Sequence, residues 1–312
     1  MDTSDTTRTA VKTINKVSYA LAKPKVVDSK NVFAGDNNTQ IIRQVSADMV
    51  IIEQPLKINL AWQEQGETKN TVFTITMRTP GHDRLLIVGL LVSEGVINGT
   101  DDVEFIESNS EDLDSEGYNN EWLVQCTYNF IPDLANIERF MLSYSSCGLC
   151  GSTSLKKLRL KKQSNFTSIL HKRMVAVNSL LGLPKLMKQH QVLFTNTGGV
   201  HSAALFNHKL ALQHVYEDIG RHNAVDKVTG AMLTMGKPSK TDDLQILVVS
   251  SRISFEIIQK TVMAGIQVLA GVGAPSDLAI KAAQQFDLTL IGFLNEQGCN
   301  VYHGNWRLNI DG

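Results

Sequence analysis

Cysteine is scarce in this chain: 4 in 312 residues. A secreted scaffold built on disulfides is short and cysteine-dense, so that class is excluded. A basic surplus is lacking too. The chain sets 30 Lys+Arg against 31 Asp+Glu, a formal net charge of −1, whereas a protein built to hold nucleic acid shows an excess of positive charge. Long apolar runs are missing. The most apolar stretch, residues 85–92, falls far short of the ~20 residues that a bilayer-crossing helix needs. The first eight residues carry no apolar core of the kind found in a secretion signal. These absences predict a cytoplasmic protein with reduced thiols, no membrane segment and no nucleic-acid partner.

What is present is an ordinary globular composition, 43% apolar and 20% charged, large enough to bury a real core. The length suits two domains, or one large domain with an appendage. Residues 1–45 are polar and without a sustained period, which predicts a mobile tail. Residues 49–55 read as a strand ended by Pro55, and residues 56–60 and 71–77 as two more. Thr79 followed by Pro80 reads as a helix N-cap and first helical position, with Gly95 as the stop. Residues 108–120 form an exposed loop, and residues 122–128 a strand in which Cys126 is a buried packing residue. A helix is expected over residues 132–144.

The small-residue segment around Cys147-Gly-Leu-Cys150-Gly reads as a loop over residues 145–154. It divides a smaller α+β domain, residues 46–144, from an α/β domain, residues 155–312. Beyond it strands and helices alternate. A helix opens at Pro184, a hairpin spans residues 200–215, and a helix runs over 224–235. Strands at 246–250, 266–272 and 288–294 are separated by helices at 255–264 and 276–285. That order implies βαβ units and a sheet with helices on both faces.

The Cys-x-x-Cys pair is the sharpest chemical signal. Two intervening residues let the thiols share a metal, form a disulfide, or act as donor and resolver. Structural zinc wants about four ligands, and no second Cys-x-x-Cys or His-x₃₋₅-His completes the set. A thioredoxin-like pair opens a helix after a strand, whereas this one follows a helix and enters a Gly/Ser loop. A sulfur carrier wants an accessible thiol on a mobile arm, which the composition fits. An inert pair is the bland alternative. A zinc deaminase requires Pro before the first Cys and His-x-Glu upstream. Here Ser146 stands before Cys147, and none of the 8 histidines has Glu at +2.

Two further clusters are polar. Thr197-Gly-Gly-Val-His201 leads into a strand, and Glu217-Asp-Ile-Gly-Arg221-His-Asn223 lies just ahead of a helix, whose N-terminal N–H groups attract phosphate. A turn with a solvated charged rim explains such a run equally well. Arg252 follows the 246–250 strand, where open α/β sheets bind ligands. Arg221, Asn223 and Arg252 are thus candidate cleft contacts, and Ser276 reads as a plain helix cap.

Taken in order, Met77-Arg-Thr-Pro-Gly-His-Asp, Ser93-Glu-Gly, Cys147-Gly-Leu-Cys-Gly, Thr197-Gly-Gly-Val-His-Ser, Glu217-Asp-Ile-Gly-Arg-His-Asn-Ala-Val-Asp-Lys and Ser251-Arg-Ile-Ser-Phe-Glu resemble the FdhD family of sulfur carriers for formate dehydrogenase. The resemblance covers about residues 50–303. It implies a cytidine-deaminase-like α/β/α domain without zinc. It implies a homodimer that takes persulfide sulfur from a cysteine desulfurase. The sulfur would pass to a molybdenum or tungsten bis-guanine-dinucleotide cofactor before that cofactor enters formate dehydrogenase. Cys147 would carry the sulfur, with Cys150 assisting. Cofactor contacts would come from Phe293, Leu294, Asn295, Glu296, Gln297 and Gly298, together with Gly198, Gly199, His201, Arg221, Asn223 and Arg252. Two departures stand out. Asn295–Gln297 lack the Arg that family members often carry there, and Ser251 stands where Gly is usual. A nucleotide-binding escort that transfers no sulfur is the rival reading.

Overall fold

The structure is a computed structural model that describes residues 10–21, 41–108, 113–134, 174–235 and 244–309. In chain order the first half holds β1 (Val11–Leu21), β2 (Ile41–Ile51), β3 (Gln54–Glu64), β4 (Glu67–Arg78), α1 (Asp83–Ser93), β5 (Val103–Ser108) and β6 (Glu121–Cys126). The second half holds β7 (Val175–Ala176), α2 (Val177–Leu180), α3 (Leu183–Gln189), α4 (Val192–Thr197), β8 (His201–Asn207) and β9 (Leu212–Asp218). There follow α5 (Arg221–Thr234), β10 (Gln245–Val249), α6 (Phe255–Met263), β11 (Val268–Gly271), α7 (Asp277–Gln285), β12 (Thr289–Asn295), β13 (Gly298–His303) and β14 (Leu308–Asn309). The Cys147–Cys150 loop and most of the helix expected over 132–144 lie outside the described residues. No helix among the described residues is long and apolar enough to cross a membrane.

The fold is mixed α/β. Its largest sheet has the order β13-β12-β11-β10-β8-β9, with β10, β11 and β12 parallel and β8 antiparallel to β10. Period-two alternation along the central strands splits their side chains between two cores. Ala203, Leu205, Leu247, Val249, Leu269 and Leu290 meet α5, α6 and α7 on one face. Ala204, Phe206, Ile246, Val248 and Ala270 meet Leu180, Leu183 and Met187 of the short helices on the other. The result is the α/β/α layering that alternating elements predict.

A second sheet, order β4-β3-β6-β5, packs one face on α1. Leu56, Ile58 and Leu60 alternate along β3 into this core with Phe73, Trp122, Val124, Leu86 and Leu91. Cys126 is buried, as expected of a packing residue. The two sheets meet where α1 crosses α5. A Cβ on Gly89 would lie 1.9 Å from the Asp226 carbonyl oxygen, and one on Gly230 would lie 2.0 Å from that of Leu85. Only glycine allows the two backbones to come this close.

Several local expectations are corrected. Residues 11–21 and 41–45, assigned to the polar tail, form strand in the β1–β2 ribbon, with Val17 opposite Val45 and both exposed. Its strands satisfy one another's backbone groups without a buried face, so no hydrophobic pattern marks them. Pro55 does not end a strand; it lies in β3 ahead of the point where β6 begins to pair, so its missing N–H costs no ladder bond there. Thr79 does not cap α1. The helix starts at Asp83 after His82, which has φ 59° and makes no side-chain cap. The Thr79 hydroxyl instead accepts from Ile219 N at 3.0 Å. Gly95 does follow the helix end, at φ 67°. Ser276 caps α7, its hydroxyl oxygen accepting from Ala279 N.

Candidate functional site

Strand directions decide which residues meet. The start of β8 lies beside the ends of β9 and β10, with His201 opposite Asp218 and Ser250 N bonded to Ser202 O. The ends of β11 and β12 point the same way. One edge of the large sheet therefore carries Gly198, Gly199 and His201, the Asp218–Arg221 turn, Ser250–Arg252, Gly271–Ala274 and Phe293–Asn295. The two polar clusters singled out in the sequence and Arg252 converge on this edge, the usual ligand side of such sheets.

Arg221 is the first residue of α5 and is exposed. Arg252 is also exposed, and it owes its position to Gly273, where an added Cβ would lie 2.9 Å from the Arg252 backbone. His201 is half-buried; burial and the Arg221 charge hold its imidazole below the usual histidine value. Burial does more to His222, with Lys260 and Arg221 adding to it and Glu256 opposing, so its value falls to about 4. His222 is therefore neutral at pH 7, and its buried Nε2 has no hydrogen-bond partner among the described residues. Gly198 adopts φ 65° and closes α4, its N–H donating to Phe194 O. Glu217 accepts from the N–H groups of Leu193 and Phe194, so it caps α4 rather than facing a ligand.

The end of β12 is irregular, with a register shift between Gly292 and Asn295. Phe293 has φ 55°, uncommon for so bulky a residue, and its ring is exposed while its N–H donates to Gly273 O. Leu294 is fully buried in the core, so only its backbone faces the edge. Asn295 closes the turn by accepting from Gln297 N and donating to Phe293 O. Glu296 forms an exposed ion pair with Lys185, and Gly298 begins β13. The Ser251 hydroxyl donates to Arg252 O, and the side chain is buried in its own turn.

Asn223 is placed differently from the arginines. It is buried, and its amide donates to Met77 O at 2.8 Å and to Asp218 Oδ1 at 3.1 Å. It belongs to a brace that the sequence did not reveal. The Asp218 carboxylate, fully buried, also accepts from Thr79 N, Gly220 N and the Lys227 ammonium. Lys227 donates further to Thr79 O. A second buried pair lies one turn deeper, where Lys260 donates to both Asp226 oxygens and Ser93 Oγ donates to Asp226. Burial raises the Asp226 carboxyl to about 6 against the pull of Lys260. The one sequence signal for the brace was charge at core-facing positions of α5, which Asp226 and Lys227 occupy.

Neither described thiol suits nucleophilic chemistry. Burial and the nearby Asp102 carboxylate push Cys126 up to about 11, and burial raises Cys299. A thiol at about 11 holds almost no thiolate at pH 7.

The family model described as FdhD/NarQ matches residues 51–309. A protein of Streptomyces avermitilis named sulfur carrier protein FdhD is 40% identical over 265 residues, covering 84% of this chain and 90% of its own. A protein of the same name from Sulfurisphaera tokodaii is 34% identical over 271 residues, covering 87% and 94%. A crystal structure from Desulfotalea psychrophila, described as that of a formate dehydrogenase accessory protein, superposes with a TM-score of 0.63. It covers 95% of this chain and 99% of its own at 20% identity, which is a likeness of fold.

Proposed function

The chain belongs to the FdhD/NarQ family, and from that premise we propose that it is a sulfur carrier in the maturation of formate dehydrogenase. Cys147 accepts sulfane sulfur as a persulfide from a cysteine desulfurase and Cys150 assists. The acceptor is the molybdenum bis-guanine-dinucleotide cofactor, bound as cargo at the sheet edge. The protein works in the cytoplasm as a homodimer, with Cys147 and Cys150 falling between its smaller and larger domains in the sequence.

The observation that carries this reading is the near-full-length match to relatives named as sulfur carriers. The thiol inventory supports it. With Cys126 and Cys299 both shifted away from thiolate, the remaining cysteines of the 4 are Cys147 and Cys150. The sheet edge suits a nucleotide: exposed Arg221 and Arg252 offer charge for phosphate, and the exposed Phe293 ring offers a face for a base.

Complementation tests the proposal. A strain deleted for its own carrier should regain formate dehydrogenase activity with the wild-type chain and not with Cys147→Ala. Full rescue by Cys147→Ala would contradict it and favour an escort that moves no sulfur.

A further inference from the structure

Thr79 directly follows β4, in the smaller sheet, yet its hydrogen bonds run to the β9–α5 junction and to α5 itself. Thr79 makes three such bonds: its N–H donates to Asp218, its hydroxyl accepts from Ile219 N, and its carbonyl accepts from Lys227 in the second turn of α5. Asp218 and Lys227 are both buried, and the carboxylate collects donors from β4, from its own turn and from α5. Buried charges so fully partnered have no capacity left for a ligand. What they fix is direction.

The brace occupies the N–H groups of Ile219 and Gly220. Those of Arg221, His222 and Asn223, at the start of the 14-residue α5, have no acceptor among the described residues. The same turn sets where the Arg221 side chain leaves the helix. The brace therefore separates donors used for architecture from donors left facing the cleft.

We infer that Thr79, Asp218 and Lys227 are positioning residues of the nucleotide site, through which the end of β4 holds the first turn of α5, and with it Arg221, in its ligand-facing orientation. The inference rests on the proposed reading that the sheet edge takes the guanine dinucleotide. It adds a role for the smaller sheet, which acts on the site through Asp218.

Isothermal titration of the full chain with guanosine diphosphate tests it, beside thermal melts of the same samples. Thr79→Val removes the acceptor for Ile219 N and is expected to weaken binding roughly tenfold, as small misplacements of a binding group do. Thr79→Ser keeps the oxygen and should restore an affinity close to wild type. Val124→Ala opens a cavity in the smaller sheet's core, away from the brace, and should lower the melting temperature without changing affinity. Thr79→Ala, which leaves room for a water at the Ile219 N–H, is read in place of Thr79→Val if that variant does not fold. Wild-type affinity in Thr79→Val, or in Thr79→Ala where that replaces it, would overturn the inference alone. So would an equal loss in Val124→Ala, which would make the role merely structural. A wild-type chain that binds no guanosine diphosphate would remove the nucleotide reading itself, and this inference with it.

Discussion

His222 sits where every neighbouring cation opposes its protonation. Its imidazole is held to about 4 in the fold against an ordinary 6.5. Between those values the unfolded chain takes up the proton and the folded chain does not, so stability falls as pH drops from 6.5 toward 4. The loss is at most about 3 kcal/mol. Asp226, raised to about 6 by burial, works the other way, because its folded form binds the extra proton between about 4 and 6. The wild-type profile is thus the difference of two opposed terms, and a His222→Gln variant separates them. In urea denaturation at stepped pH, the stability gap between wild type and variant should narrow toward acid; a constant gap contradicts the assignment. Lys227 gives a second test at this scale. Lys227→Met leaves the Asp218 charge buried beside an apolar side chain, which should cost about 3–5 kcal/mol by urea denaturation. Single residues were unevenly legible. Arg221 and Arg252 were readable because exposed cations at strand and helix ends have no core role to play. Thr79 misled because Thr-Pro has the chemistry of a helix start, while its hydroxyl serves a turn 140 residues away. Leu294 fell within a motif but points into the core.

At the scale of elements, the crossing of α1 and α5 is the tightest contact between the two sheets' helices. Alanine replacing glycine inside a helix ordinarily stabilises by about 1 kcal/mol. Here the sign should reverse. Gly89→Ala and Gly230→Ala place a methyl about 2 Å from a facing carbonyl oxygen, so the helices must part, at a cost of about 1–3 kcal/mol or more. Thermal or urea unfolding checks this, and a stabilised variant would contradict the crossing. The elements readable in the sequence are those with a buried face: β8, β10, β11 and β12 were visible as apolar runs, and α5, α6 and α7 lay between them. Those that escaped have little of one. β1 and β13 are edge strands whose side chains are exposed or only half-buried, and α4 is a six-residue helix capped by the distant Glu217. No local pattern encodes a cap supplied by another strand.

For the whole molecule, alternation of strand and helix was enough to place α/β/α layers, because each amphipathic element must bury its face on the sheet. The joining of the smaller sheet to the larger was not readable. It depends on two glycines and on the Asp218–Lys227 and Asp226–Lys260 pairs, which only three-dimensional proximity brings together. A persulfide adds one sulfur atom to the chain, and intact mass reports on it directly. The full chain, incubated with a cysteine desulfurase and cysteine and then measured intact, should gain one sulfur that a thiol reductant removes and that Cys147→Ala does not acquire. A wild-type mass that never changes, or a Cys147→Ala chain that gains the same sulfur, would contradict the account.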